Sequence, residues 1–383
     1  MAGGGADADL DARSRADVRQ PEPGAAPARR LRVLLLPPQP LGASATHIPD
    51  SGPDPRDLER RLAAQGIDLV SIDPAGRLFN PFVGRHPMLE GLDPWRALRV
   101  MLFERRADLV VSVMEGPAAP LVLLRRLFRF NIPIVLWDIA PAERWQLRKR
   151  VQDFVVPRVA GVMTLSSTLA PYIAQRWSST KSVTMIGNRL DTDLFHPVQC
   201  PVQCPVQRPV NDYIFSIGQD PGRDYPTLLA AMEGVPIELR LRTSRQLAPG
   251  ADALANVRLL RERVDDRELR DLYAGCRFVV APLSQTNNAG GLSAIQEAGA
   301  MGKALVVTDN PAIRDFIVPD ETCLVVPRHD ATAMRDAILR LLGDRDLCER
   351  LGRNARRLVE ETASPAVFAV RFGAALRRFA RTT

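Results

Sequence analysis

Two stretches of this sequence bring together residue types that handle anions. In the first, the apolar run Phe278-Val279-Val280-Ala281-Pro282 gives way to a loop from Leu283 to Gly291 and then to a helical pattern from Leu292 to Met301. Asn287, Asn288, Gly290 and Gly291 stand just ahead of that helix. Small and polar residues there leave backbone N–H groups open, and the helix dipole favours negative charge. Glu297, further along the helix, is placed to accept hydrogen bonds from hydroxyls of a ligand whose phosphate sits at the helix start. A Gly-rich turn followed by a solvated Glu is the competing reading of the same string. In the second stretch, Phe215-Ser216-Ile217-Gly218 ends a strand, and Gly218 permits close approach to the backbone. Arg223, at the following helix start, offers a bidentate partner for phosphate oxygens, unless a surface pair with Asp220 or Asp224 occupies it.

These residues need a scaffold that delivers strand ends to one place. From Arg32 to Ile186, short apolar runs alternate with amphipathic stretches, beginning with Arg32-Val33-Leu34-Leu35-Leu36 stopped by Pro37 and Pro38. The alternation restarts at Asp212 and continues to Pro327, followed by a tail that reads as helix with breaks near Gly343 and Pro365. Such alternation means parallel sheets covered by helices on both faces. The tract from Pro197 to Val210 carries proline at every fourth position, which excludes helix or central strand and reads as an extended linker. The expected plan is therefore α/β, with two doubly wound Rossmann-like domains facing a central cleft. Its parts are a disordered tail over 1–31, an N-terminal domain over 32–197, the linker over 198–210, and a second domain over 211–363. A C-terminal helix over 364–383 could return to the first domain. Open sheets of this kind bind ligands at the carboxyl ends of their strands.

The segments "IFSIGQDPGRDYPTLLAAM" and "LRDLYAGCRFVVAPLSQTNNAGGLSAIQEAGAMGKALVVTDNPAIRDFI" resemble the C-terminal domain of GT-B glycosyltransferases of family 4. "VAGVMTLSSTLAPYI" and "NRLDTDLFHP" look like that family's strand before the domain junction and the turn that follows it. The resemblance covers roughly residues 32 to 380. It implies transfer of a sugar from a UDP- or GDP-linked donor to a hydroxyl acceptor, with retention at the anomeric carbon and no bound metal or cofactor. The family's phosphate-binding cation falls on Arg223 and its ribose-binding Glu on Glu297. Amides around Gly290, Gly291 and Leu292 would hold the distal phosphate and sugar, and the stretch near Val264 would line the base. Two departures stand out. Ala289 occupies the first Glu of the family's E-x7-E signature, with Asn287 or Asn288 as substitute hydrogen-bonding groups, and Gln219 replaces the Arg of a common Gly-Arg pair. On the acceptor side, Trp137-Asp138 stands where the family often has a His-Asp pair. Asp138 would orient a hydroxyl or meet the transferring sugar, and Trp137 would stack on a sugar ring, unless Trp137 is core and Asp138 a helix cap. Glu115 and the loop carrying Gly42, Ser44 and His47 should approach the same cleft. A sugar-nucleotide epimerase or hydrolase, or a catalytically silent partner subunit, remains the alternative.

The 383 residues carry a formal charge of +7, dominated by Arg, which favours anionic partners. With 13 Phe, 4 Tyr and no zinc-finger, RRM or homeodomain pattern, a nucleic-acid partner is not expected. Cys200, Cys204, Cys276, Cys323 and Cys348 form no CxxC, and Asp191 and Asp193 match the junction turn rather than a metal motif, so no metal site is expected. The first thirty residues lack the apolar core of a secretory signal, and no run is long enough to cross a bilayer, so the expected location is cytoplasmic. "LVLLRRLFRF" and "ERWQLRKRVQDFVVPR" mix basic and apolar residues and could lay helices on the inner face of an anionic membrane. Buried helices with snorkelling Arg would have the same composition.

Overall fold

The computed structural model describes residues 29–38, 56–75, 80, 91–125, 127–139, 141, 145–180, 182–197, 213–247, 254–284 and 290–381. The N-terminal tail, the loop with Gly42, Ser44 and His47, the proline repeat, and Asn287, Asn288 and Ala289 lie outside them. From Leu31 onward the chain is one compact unit. Its first half runs β1 (Leu31–Leu36), α1 (Asp57–Ala64), β2 (Ile67–Ser71), α2 (Pro94–Phe103), β3 (Leu109–Val113), α3 (Ala118–Leu124), β4 (Ile134–Trp137), α4 (Gln146–Val155), β5 (Gly161–Thr164), α5 (Leu169–Arg176) and β6 (Val183–Met185). The strands form a parallel sheet in the order β2-β1-β3-β4-β5-β6.

β1 shows why its sequence is a continuous apolar run. Leu34 and Leu36 enter a core shared with α2 to α5, while Val33 and Leu35 enter the opposite core. A strand buried on both faces cannot alternate with polar residues.

The second half runs β7 (Tyr213–Ile217), α6 (Tyr225–Met232), β8 (Glu238–Arg242), β9 (Val257–Leu260), α7 (Asp266–Gly275), β10 (Val279–Ala281), α8 (Leu292–Ala300), β11 (Leu305–Thr308), a 3-10 turn (Pro311–Phe316) and β12 (Leu324–Val326). Three helices close the chain: α9 (Ala331–Gly343), α10 (Arg345–Ala363) and α11 (Pro365–Arg381). This sheet is also parallel, in the order β12-β11-β10-β7-β8-β9. Val306 and Leu305 of β11 likewise point into two different cores. α11 crosses back onto the first domain, where Phe368, Phe372 and Phe379 fill the core beneath β1 and α1. Gln65 Nε2 donates to Ala369 O at 3.1 Å to seat it.

The junction is pinned from several sides. Asp191 Oδ1 accepts from the amides of Asp193 and Leu194, each at 3.0 Å, so it caps the turn. Arg356 of α10 donates to Phe195 O and Ala300 O at 2.8 and 2.7 Å. Asn188 Nδ2 donates to Gln296 Oε1 of α8 at 2.8 Å. Across the cleft, Asp315 accepts from both Ser167 N and Ser167 Oγ at 2.7 Å. Ser167 follows β5 and Asp315 follows β11, so the carboxyl ends of the two sheets face one another.

Candidate functional site

The loops after β7 and β10 are clipped together. Asp224 N donates to Pro282 O at 3.1 Å, Ser284 N donates to Gly222 O at 2.8 Å, and Arg223 pairs with Leu283 in an isolated bridge. This puts the Arg223 guanidinium between two glycines. A Cβ added to Gly218 would stand 2.2 Å from its Nε, and one added to Gly291 would stand 3.4 Å from its Nη1. The Arg223 side chain is 4% exposed, and its Nε donates to Asp220 Oδ2 at 2.8 Å. The surface pair that competes for this residue therefore exists, but it takes only one edge: Nη1 is buried without a hydrogen-bond partner. Asp224 is occupied elsewhere, accepting from Thr227 and meeting His329 at 2.8 Å. A buried guanidinium N–H left unpaired is costly, and an anion brought to that unpaired edge would satisfy it.

The start of α8 reinforces that edge. Four other helices of this half, α6, α7, α9 and α10, begin with an aspartate whose carboxylate accepts from a first-turn amide. α8 begins instead at Gly291, with no side-chain cap and φ +87°. That conformation suits glycine, and it leaves the first amides of the helix, Leu292 among them, for an external acceptor.

Glu297 lies on α8 and is half-buried rather than solvated. Its Oε2 accepts from Tyr273 Oη at 2.8 Å. Burial pushes its carboxyl up to about 7, against the opposing pull of the Tyr273 hydrogen bond and the Arg223 charge. Tyr273 packs edge-on against Phe215 and Phe195 and is a site residue that sequence reasoning missed. Nothing in its spacing marks it, because it acts from beneath the site. Val264 is half-buried in the loop after β9, just ahead of the Asp265 cap of α7. Lys303, which follows α8, takes no part in the cradle: its Nζ donates to Ala274 O and Cys276 O, both at 2.8 Å.

On the facing sheet, Asp138 follows β4 directly and adopts the left-handed region at φ +60°, which Asp tolerates better than most residues. Burial raises its carboxyl above the ordinary range; Arg148 pulls it down and Glu115 pushes it further up. Glu115, 4% exposed at the end of β3, accepts from both Nε and Nη2 of Arg148 on α4. Arg148 was not singled out by sequence, since it lies inside a basic run that reads equally as a solvated face. The Trp137 ring packs on Phe372 and Phe368 of α11, with centroids 4.8 and 5.8 Å away, and stays half-buried at the margin of that core. Gly290 stands beside Gly291 at the loop end, while Asn287, Asn288, Gly42, Ser44 and His47 fall outside the described residues. Among the described residues no group of three or more His, Cys, Asp or Glu comes together as a metal site would require.

Residues 242–358 match the family model described as glycosyl transferases group 1. Solved structures share the architecture over nearly the whole chain. Sucrose-phosphate synthase from Thermosynechococcus elongatus is 20% identical with a TM-score of 0.70, over 92% of this chain and 100% of that one. A glycosyltransferase from Rickettsia africae is 13% identical with a TM-score of 0.67, over 93% and 100%. Anabaena HepE, solved with UDP and glucose, is 14% identical with a TM-score of 0.61, over 91% and 100%. None of the curated proteins matches the sequence. At these identities the structural likenesses show the fold, which is GT-B with two Rossmann-like domains.

Proposed function

We propose, for a chain that is a GT-B glycosyltransferase with a group 1 segment on its donor side, that the cradle between Gly218 and Gly291 holds the diphosphate of a UDP- or GDP-linked sugar. The observation that carries this reading is the buried, unpartnered Nη1 of Arg223 beside the glycine-capped start of α8. Arg223 and the α8 amides would meet the charge that develops on the departing diphosphate, a preorganised arrangement whose single donors are typically worth ~10²–10³ in rate. HepE was solved with UDP and with UDP-glucose, which favours a uridine donor here. In this reading Glu297 accepts from the ribose hydroxyls, and the loop at Val264 lines the base. Asn287 and Asn288 address the transferred sugar where Ala289 supplies no carboxylate.

Asp138, held at a strand end opposite, is proposed to orient the acceptor hydroxyl, with Glu115 and Arg148 fixing its electrostatics. Retention and independence of a metal belong to the same reading by resemblance, as does a cytoplasmic setting. The experiment is a donor screen with the purified chain, following release of UDP or GDP with and without hydroxyl acceptors. Acceptor-stimulated release that vanishes in Arg223→Met supports the reading; release without any sugar transfer would point to a hydrolase.

A further inference from the structure

A second surface lies on the first domain, apart from the Arg223 cradle. α2, α3 and α4 lie side by side on one face of the first sheet, opposite the face covered by α1 and α11. Their inner stripes are buried, with Ala97, Val100 and Met101 on α2 and Leu121 and Val122 on α3. Large apolar side chains also stand exposed on their outer surface and on the turn after α3. Phe103 is 78% exposed, Leu127 77%, Leu123 67% and Leu147 57%. Between the helices runs a groove of ≈ 470 Å³ lined wholly by apolar side chains, including Leu92, Pro94, Leu124 and Phe154. Large exposed apolar side chains gathered on adjoining helices beside an apolar groove mark an interaction site rather than ordinary surface scatter.

Charge identifies the partner. Arg99, Arg105, Arg106, Arg129, Arg150 and Arg158 are exposed on the same elements and the turns that end them. The acids there are engaged: Glu104 with Arg32 at 2.6 Å, and Glu115 with Arg148. Asp153, the one exposed acid among the described residues between 91 and 158, pairs with Arg176 at 3.0 Å. The apolar ridge is therefore edged by uncompensated positive charge. A second copy of this chain would bring two like-charged rims together, which opposes association. An anionic bilayer accepts both features: apolar side chains enter the acyl boundary while guanidinium groups meet lipid phosphates.

We infer that the outer face of α2, α3 and α4 docks the protein on an anionic lipid bilayer. This does not depend on which nucleotide sugar the cleft takes. The face also holds its own reporters, since Trp95 and Trp145 are 54% and 51% exposed near the amino ends of α2 and α4.

The test is sedimentation of the full chain with two vesicle types: phosphatidylcholine alone, and phosphatidylcholine mixed with phosphatidylglycerol in equal parts. The protein should co-sediment with the mixed vesicles, less so at high salt, with a blue shift of tryptophan emission. Phe103→Ser combined with Leu127→Ser should lower the partition coefficient at least about tenfold while leaving melting temperature and UDP or GDP affinity unchanged, because both side chains are exposed. Arg129→Glu combined with Arg150→Glu should abolish the preference for phosphatidylglycerol. Absence of binding to either vesicle overturns the inference. So does binding that responds to the Arg variants but not to the Phe103 and Leu127 pair, or self-association that the pair abolishes in a protein that ignores vesicles.

Discussion

Arg223 is the centre of the proposed donor site. Its Nε is held by Asp220, its buried Nη1 has no hydrogen-bond partner, and the glycines on either side leave room for the guanidinium. Arg223→Met should weaken UDP or GDP binding by about 10- to 100-fold, the cost of losing charge-assisted hydrogen bonds of roughly 1.5–3 kcal/mol. Gly218→Ala should do nearly as much by a different route, since the new Cβ would stand 2.2 Å from Arg223 Nε and drive the guanidinium out of place. Titration calorimetry on both variants checks this.

Glu297 adds a pH signature. Its carboxyl is raised from the ordinary 4.5 to about 7, so the native state holds a proton that the unfolded chain has released. The stability this group contributes is therefore full below about 4.5 and is lost as pH rises to about 7. Glu297→Gln should flatten the fall in melting temperature over that interval. At this scale the sequence displayed the candidates that local pattern marks: Gly218 at a strand end, Arg223 and Gly291 at helix starts, and Glu297 along the helix that follows Gly291. It hid Tyr273 and Arg148, whose roles come from what they touch across the fold rather than from any local pattern.

At the scale of elements, the seating of α8 depends on tight packing at its carboxyl end. α8 lies against α10, and Gly352 of α10 sits so close to the turn after α8 that a Cβ there would meet Gly302 O at 2.1 Å. Backbone cannot yield as a side chain can, so Gly352→Ala should destabilise by about 1–3 kcal/mol, read as a lowered urea midpoint. Nucleotide binding should weaken with it as α8 shifts. The strands were legible because burial on both faces leaves only apolar residues, as in β1 and β10. Helix ends were less so. The largely apolar stretch from Pro117 reaches Phe130, yet α3 stops at Leu124. The stretch from Pro311 forms a 3-10 turn, started by Asn310 Oδ1 accepting from Ala312 N, instead of an α-helix. Asn310 and Asp309 satisfy local groups there in ways that periodicity does not report.

For the whole molecule, Ser167 and Asp315 tie the carboxyl ends of the two sheets together across the cleft, apart from the ties at the junction. Asp315 receives two hydrogen bonds from Ser167, and both partners are exposed enough for water to compete. Asp315→Ala should therefore leave each domain folded while loosening their approach. A larger radius of gyration by small-angle scattering and a lower turnover number, with donor affinity little changed, would register that. The two-domain plan was readable from the alternation of elements on either side of the proline repeat. The facing of the two sheet ends was not, because it is set by side chains such as Ser167, Asp315, Asn188 and Gln296 that carry no signal in sequence.

The central claim is that the cradle of Arg223, Gly218 and the start of α8 binds a nucleoside diphosphate. Titration calorimetry of UDP and GDP into the intact protein and into Arg223→Met, with melting curves to confirm that both are folded, tests it most directly. The account predicts saturable binding of one of the two nucleotides, weakened by about 10- to 100-fold in the variant. Binding of neither nucleotide, or equal affinity in the folded variant, would contradict it.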